Sequence, residues 1–141
     1  MAVKSTASTL WKGSLGDGSG TTSFGTGIAT LSVDWKARSE GSSTTTTPEE
    51  LLAAAHASCY AMALSNELGQ AGHAPEELQV SAEVSFQAGE GITGIVLKVE
   101  ATVPGIDEDE FLRIATGAKD GCPVSKALAG TTIELGSATL G

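Results

Sequence analysis

The stretch from Thr46 to Gly69 constrains the fold of this chain more than any other. Its sequence, TTPEELLAAAHASCYAMALSNELG, is typical of one long helix. Thr47 is a favourable N-cap, Pro48 suits the first helical position, and Glu50 completes a capping-box pattern. We expect the helix to end at Gly69, because glycine readily adopts the left-handed conformation required of a C′ residue.

The middle of this predicted helix is apolar on nearly every face. Between Leu51 and Leu64 the polar side chains are His56, Ser58 and the hydroxyl of Tyr60. Because a surface helix carries a polar face, we expect this helix to be buried on all sides. It is too short and too interrupted to cross a bilayer, which takes about 20 apolar residues.

Composition limits the range of functions. The chain has 141 residues, the length of one domain, and 40% of them are hydrophobic, which is enough for a core. Its net charge of −9 argues against binding nucleic acid, which needs clustered Lys and Arg side chains, and against binding an anionic membrane surface.

The N-terminal sequence and the cysteine count predict a compartment. The first residues, MAVKSTASTLW, lack the apolar segment of a signal peptide, and the sequence contains no transmembrane segment. We therefore expect a cytoplasmic protein. Because thiols stay reduced in that compartment, the chain's two cysteines are expected to have a catalytic or redox use.

Strand patterns lie on both sides of the long helix. The predicted strands are residues 3–12, 23–31, 32–36, 78–87, 92–103 and 131–140. The clearest are 78–87 and 92–103, where apolar residues alternate with polar ones and so share one face. The run at 42–47 has no apolar residue and is predicted to be an exposed loop leading into the helix.

Two shorter helices are predicted towards the C-terminus. Asp107 and Glu110 form a second capping-box pattern, and the helix that they begin is expected to end at Gly121. Cys122 then precedes a short helix at 124–129. Strands, a long helix, a strand pair, two helices and a final strand together predict an α+β fold, with a largely antiparallel sheet around the long helix.

Four residues combine into a candidate thiol redox site: Cys59, Cys122, Arg38 and Glu49. Thiolate is the reactive form of cysteine. Cys59 lies beyond the first turn of its helix, where the dipole no longer acts, so apolar surroundings should raise its pKa. It needs a cation, for which Arg38 is the candidate. Glu49 is available to pair with that arginine, because Glu50 takes the capping role.

Each of these residues also has an ordinary structural explanation. Cys59 could be inert packing, and Cys122 a tolerated N-cap. Arg38 could lie on the surface, and Glu49 could interact only with the helix dipole. His56 precedes Cys59 by one helical turn and suggests a metal pair or a Cys–His dyad. Two ligands are too few for a zinc site, so we predict neither a metal nor a cofactor, and we expect a hydrogen-bonded core histidine.

Several segments of the sequence resemble the OsmC/Ohr family, the osmotically inducible protein C and organic hydroperoxide resistance proteins. The helix at 46–69 is similar to the family's signature helix, and DGCPVSKAL at 120–128 is similar to the segment around its second cysteine. VPGID at 103–107 and RxEG at 38–41 favour the OsmC branch. One departure is Thr47, where the family often has asparagine; both residues cap helices.

This resemblance implies a cysteine-based peroxidase that reduces organic hydroperoxides, and hydrogen peroxide less well, to alcohols. Cys59 corresponds to the peroxidatic cysteine, which forms a sulfenic acid, and Cys122 to the resolving cysteine, which closes a Cys59–Cys122 disulfide. Arg38 and Glu49 correspond to the pair that activates the thiolate and orients the peroxide. The family also implies an intertwined homodimer and a dithiol reductant of the lipoyl type.

Local physical chemistry and the resemblance disagree about which cysteine attacks. Cys122 precedes a helix and should have the lower pKa, whereas the resemblance assigns the attack to Cys59, with arginine in place of the dipole. We follow the resemblance. Two other functions stay open: a non-enzymatic acidic dimer that binds an apolar ligand beside the long helix, and a Cys–His acyl or thiol transferase that uses His56.

Overall fold

The computed structural model describes residues 1–141 as six strands and four helices. In chain order they are β1 (Ala7–Lys12), β2 (Ser19–Phe24), β3 (Thr30–Val33), α1 (Trp35–Glu40), α2 (Pro48–Gln70), β4 (Glu77–Gln87), β5 (Gly91–Thr102), α3 (Glu108–Gly121), α4 (Pro123–Ala127) and β6 (Ile133–Leu140). The boundary between two compact units falls within α2, giving Met1–Leu51 and Leu52–Gly141. A single domain over the whole chain stays a prediction.

The first unit contains an antiparallel sheet in the order β1-β2-β3 and the short helix α1. The predicted strand at 32–36 is wrong in its second half, because α1 begins there. Asp34 caps this helix by accepting a hydrogen bond from the Ala37 N–H at 2.7 Å. The helix ends at Gly41, whose φ of 89° is a conformation that glycine adopts without strain.

The start of α2 confirms most of the predicted cap. Pro48 is its first residue, and the Thr47 hydroxyl accepts a hydrogen bond from the Glu50 N–H at 3.0 Å. The Glu50 carboxylate, however, accepts from the hydroxyl of Thr46. The polar side chains before the helix therefore satisfy its first turn.

The predicted end of α2 at Gly69 is wrong, because the helix continues to Gln70. The left-handed residue is Gly72, with a φ of 85°. The Gly72 N–H donates to the Gly69 carbonyl at 3.0 Å, and the His73 N–H donates to the Leu68 carbonyl at 2.8 Å. These two bonds form a Schellman motif, which satisfies the last carbonyls of the helix.

Burial of α2 on all sides is also a wrong expectation for the single chain. One face, at four-residue spacing, is fully buried and consists of His56, Tyr60, Leu64 and Leu68. Another face is exposed and includes Ala54, Ala55, Ser58 and Met62. The sequence suggested full burial because alanines on the exposed face carry no polar group to mark it.

The second unit contains the other sheet, in the order β4-β5-β6. Strands β4 and β5 pair in antiparallel fashion and alternate as predicted, with Ile95, Leu97 and Val99 of β5 buried. Strand β6 pairs with β5 in parallel, with Ile133 opposite Ile95. The single sheet that we expected is therefore two sheets. The parallel pair requires a crossover connection, which α3 and α4 provide.

The core of the second unit joins α2, β5 and α3. Tyr60 and Leu64 pack with Leu97 and Phe111, and the buried Tyr60 hydroxyl donates to the Ala115 carbonyl at 2.8 Å. Asp107 caps α3 as predicted, since its carboxylate accepts from the Glu110 N–H at 2.8 Å. None of the four helices combines the length and the apolar character needed to span a bilayer.

Candidate functional site

The fold of the second unit brings the two cysteines into contact. Cys59 lies on α2, and Cys122 occupies the junction between α3 and α4, 63 residues later in the chain. Their Sγ atoms are 3.0 Å apart, and both thiols are free. The sequence predicted this pairing only through the family resemblance, and the geometry places the two thiols within reach of each other.

The two thiols differ in exposure. Cys122 is completely buried, with 0% of its surface accessible, whereas Cys59 is half-buried. A reagent from solvent therefore meets Cys59 first. Cys122 is positioned to react with whatever forms on Cys59.

The surroundings of Cys122 favour its thiolate. Burial raises its pKa, but hydrogen bonds from the Cys59 thiol, from the N–H and hydroxyl of Ser125 and from the Val124 N–H outweigh burial, so that the pKa of Cys122 is lowered. The donors on Val124 and Ser125 lie in the first turn of α4, because the chain enters that helix directly after Cys122. The expectation that Cys122 has the lower pKa agrees with this arrangement.

The surroundings of Cys59 have the opposite effect. Burial raises the pKa of Cys59 first, and its hydrogen bond to Cys122 raises it further, while the Val124 N–H opposes both. In the ionised pair the Cys59 thiol therefore donates to the Cys122 thiolate. Because one proton lies between two sulfur atoms 3.0 Å apart, its transfer is enough to convert Cys59 to the thiolate.

A second buried contact lies beside the thiol pair. His56, on α2, and Ser125, on α4, are both buried, and His56 Nε2 lies 2.7 Å from Ser125 Oγ. Burial lowers the pKa of His56, so the ring is neutral near pH 7. The expected hydrogen-bonded core histidine is thus confirmed. Sequence reasoning did not single out Ser125, although it follows Cys122 by one helical turn in the CPVS segment.

Arg38 and Glu49 form an ion pair within the first unit. Arg38 Nε donates to both Glu49 carboxylate oxygens at 3.0 and 3.2 Å, and a terminal nitrogen donates to Oε2 at 2.8 Å. The Glu49 side chain is 6% exposed and that of Arg38 is 33% exposed. This bidentate geometry fixes the plane of the guanidinium. The four predicted residues are thus found as two pairs, one in each unit.

Comparison with known proteins identifies close relatives. The family model described as OsmC-like protein matches residues 39–136. The chain is 42% identical over 132 residues to peroxiredoxin OsmC of Escherichia coli, covering 91% of this chain and 92% of that protein. It is 34% identical over 91 residues to the organic hydroperoxide resistance protein of Xanthomonas axonopodis pv. citri, covering 60% of this chain and 61% of that protein.

The fold agrees with these sequence matches. An OsmC-like protein from Mycoplasma pneumoniae superimposes with a TM-score of 0.73 at 20% identity, and the match covers 99% of both chains. The higher identity and coverage with the OsmC relative confirm the OsmC branch suggested by the sequence motifs. By its family model and its full-length relative, the chain belongs to the OsmC-like protein family.

Proposed function

We propose that this protein is a thiol-dependent peroxidase that reduces organic hydroperoxides to alcohols. One observation carries the proposal: a half-buried thiol and a fully buried thiol, with Sγ atoms 3.0 Å apart and one of them favoured as thiolate. The peroxiredoxin and hydroperoxide resistance names of its relatives support the same chemistry.

The first step uses Cys59 because it is the accessible sulfur. Its proton moves to Cys122, and the Cys59 thiolate attacks the distal oxygen of the hydroperoxide. The O–O bond breaks, an S–O bond forms, and the alkoxide leaves as the alcohol after taking the proton that Cys122 received, which returns Cys122 to its thiolate. Cys59 is oxidised to the sulfenic acid, and the peroxide is reduced.

The second step uses Cys122. Its thiolate attacks Cys59 Sγ, the S–O bond breaks, and hydroxide leaves as water after taking a proton. The sulfur atoms need to approach by only about 1 Å, from 3.0 Å to the roughly 2.05 Å of a disulfide bond. Overall, two thiols and one hydroperoxide give one disulfide, one alcohol and one water. A dithiol, which we propose to be of the lipoyl type, then reduces the disulfide by exchange.

We also propose a role for Arg38 and Glu49. The resemblance assigns Arg38 to the activation of the Cys59 thiolate and the orientation of the peroxide, with Glu49 holding the guanidinium. The bidentate contact supports this assignment, because a buried carboxylate fixes the plane of the guanidinium.

We further propose that the protein functions as an intertwined homodimer. In the first unit every residue of β1 is exposed, including Leu10 at 62% and Trp11 at 38%, so this strand has no core of its own. Apolar surface of this kind typically marks a binding interface. Analytical ultracentrifugation would test the proposal, and a monomer at micromolar concentration would contradict it.

The peroxidase proposal is tested by intact mass. The reduced protein, treated with one equivalent of cumene hydroperoxide, should lose two hydrogens per subunit while one equivalent of peroxide is consumed. The double variant Cys59→Ser/Cys122→Ser is the matched control and should do neither. A non-enzymatic protein that binds an apolar ligand would keep its mass and would consume no peroxide in the presence of a dithiol. An unchanged mass, or no consumption of peroxide, in the wild type would overturn the proposal.

A further inference from the structure

His56 and Ser125 lie beside the thiol pair but have no role in the reaction described above. The contact joins two elements that are far apart in the sequence, α2 and α4, and it is almost inaccessible to water: His56 is 0% exposed and Ser125 is 6% exposed. The other ring nitrogen of His56, Nδ1, is buried without a hydrogen-bond partner. A buried polar group left in this state has a cost, so its presence calls for an explanation.

The unpartnered nitrogen identifies the tautomer of His56. The ring is neutral because burial lowers its pKa, so it carries one N–H. A proton on Nδ1 would leave a buried donor without an acceptor, which is rare in proteins; a bare Nδ1 leaves only an unused lone pair. The proton therefore lies on Nε2, which donates to Ser125 Oγ at 2.7 Å.

This tautomer determines the direction of the Ser125 hydroxyl. Its oxygen already accepts from His56, so its single proton is free to point elsewhere. Cys122 is the N-cap of α4 and lies one helical turn before Ser125, whose hydroxyl helps to lower the pKa of the Cys122 thiol. We propose that His56 and Ser125 form a hydrogen-bond relay, in which His56 Nε2–H orients the Ser125 hydroxyl so that it donates to the sulfur of Cys122.

The relay gives these residues a positioning role that rests on the proposed peroxidase function. After Cys59 has become a sulfenic acid, it no longer offers its thiol proton to Cys122. The Ser125 hydroxyl and the backbone N–H groups of Val124 and Ser125 are then the donors that keep Cys122 ionised. The relay therefore accelerates the second step, disulfide formation, whereas in the first step, where Cys122 accepts the Cys59 proton, it opposes that transfer.

Other titratable groups also contact Cys122 and must be separated from the relay. On α2 these are Cys59 and Tyr60, while His56 acts through Ser125. Burial, and then the charge of Cys122, raise the pKa of Tyr60, so its phenol stays neutral while the thiol titrates. Removing Cys59 leaves one cysteine in the chain, and its thiolate absorbance then reports on Cys122 alone.

The first experiment measures the Cys122 pKa in the Cys59→Ser protein by ultraviolet absorbance. Adding Ser125→Ala should raise this pKa by about one unit, a roughly tenfold loss of thiolate below it. Ser125→Thr keeps the hydroxyl and should leave the pKa close to that of the parent. The proposal would be overturned if Ser125→Ala left the Cys122 pKa unchanged from that of the Cys59→Ser parent, or if Ser125→Thr raised it as much as Ser125→Ala.

Two substitutions of His56 test its place in the relay. His56→Gln retains an N–H donor and should preserve the Cys122 pKa, whereas His56→Leu should raise it by less than Ser125→Ala. Because His56 acts through the hydroxyl, adding His56→Leu to Ser125→Ala should have no further effect. A full additional increase would contradict the relay. Should Ser125→Ala fail to fold, judged by thermal melting, the comparison of glutamine with leucine at position 56 decides alone.

A kinetic readout separates the relay from the peroxidase proposal. In proteins that retain both cysteines, Ser125→Ala should slow disulfide formation after one equivalent of peroxide by roughly tenfold at neutral pH, and should shift its pH profile upwards. Loss of sulfenic acid formation in the wild type would refute the peroxidase, but the Cys122 pKa values would still test the relay. Nitrogen-15 NMR of the His56 ring provides the last check, because a proton on Nδ1 would refute the relay.

Discussion

The two pairs of predicted site residues, one in each unit, hold charge in different ways. Arg38 and Glu49 carry opposite charges, and three N–H···O contacts of 2.8–3.2 Å lock them together. Cys59 and Cys122 are chemically identical groups with Sγ atoms 3.0 Å apart, and once one thiol is ionised they share one proton. The ion pair has one stable arrangement, whereas the thiol pair has two protonation states that differ by the position of a single proton.

This difference predicts different consequences of substitution. Breaking the ion pair leaves the Glu49 carboxylate, 6% exposed, without its partner, so both stability and function should suffer. Breaking the thiol pair with serine changes one atom and leaves no unpaired charge, so function should suffer while the fold persists.

Cys59→Ser should abolish peroxidase activity. Serine does not form an anion near neutral pH, so the first step loses its nucleophile. The measurement is peroxide consumption with a dithiol reductant, and thermal melting should show a folded protein. Retention of more than a few per cent of the activity would exclude Cys59 as the nucleophile. If dimedone labelled Cys122 in this variant after one equivalent of peroxide, the roles of the two cysteines would be reversed.

Cys122→Ser should perform the first step and then stop. Without a neighbouring thiol, the Cys59 sulfenic acid has no partner for an intramolecular disulfide. The variant should consume about one equivalent of peroxide per subunit, and dimedone should label Cys59, whereas the wild type should resist dimedone. Excess peroxide should drive the variant to the sulfinic acid. Turnover as fast as wild type would show that the external dithiol attacks the sulfenic acid directly.

The comparison also shows which features a sequence can predict. The alternation of β4 and β5 and the N-terminal caps of α2 and α3 depend on neighbouring residues, and all were predicted closely. Helix α1 was missed because its six residues show no helical period; Asp34 and Gly41, at its two ends, were the available signals. The parallel pairing of β5 with β6 depends on contacts distant in sequence, and local patterns carry no information about it.

The candidate site residues show the same difference between features that a local pattern predicts and features that depend on contacts distant in sequence. The Arg38–Glu49 contact was predicted from charge, because a capping role for Glu50 left Glu49 available. The approach of Cys59 to Cys122 spans 63 residues, and only the family resemblance suggested it. Ser125 was missed altogether, since a serine in a short helix is unremarkable until the fold places His56 against it.

Arg38→Met should slow the peroxide step by on the order of 100-fold, the typical effect of losing one preorganised hydrogen-bond donor to a reacting group. Because the lost cation would favour the Cys59 thiolate, the pH profile of Cys59 alkylation should shift upwards. Arg38→Lys tests whether charge alone suffices without the bidentate contact. Glu49→Gln should have a smaller effect on rate, since it acts through the arginine. An unchanged alkylation profile in Arg38→Met would mean that another group activates Cys59.

Organic hydroperoxides should be preferred over hydrogen peroxide, and this preference should depend on the exposed side of the thiol pair. Ala55 and Met62 lie within one turn of Cys59 on α2, and both are exposed. Each CH₂ group of the substrate that they cover could contribute about 0.8 kcal/mol, roughly fourfold in kcat/KM. Met62→Ser should therefore lower kcat/KM for cumene hydroperoxide more than for hydrogen peroxide. Equal kcat/KM values for the two substrates in the wild type would contradict the prediction.

The smallest expected effect is on stability and concerns the buried, neutral ring of His56, which belongs to neither the ion pair nor the thiol pair. Burial lowers the pKa of His56 below its ordinary value of 6.5. As pH falls below about 6.5, the unfolded chain binds a proton that the native ring resists. The free energy of unfolding should therefore decrease with falling pH through this window, by at most about 1.4 kcal/mol per pH unit from this one site.

His56→Gln isolates this contribution, because glutamine keeps an N–H donor for Ser125 and does not titrate. Urea denaturation of the reduced proteins at pH 7.5 and 5.5, at one protein concentration, should show a smaller loss of stability for His56→Gln than for the wild type. His73→Gln, which removes the chain's other histidine, should retain the His56 contribution and is the matched control. Equal losses in the wild type and His56→Gln would show that His56 accepts a proton as readily in the folded protein as in the unfolded chain. The conclusion that the His56 ring is neutral, from which the Nε2–H tautomer was deduced, would then be wrong.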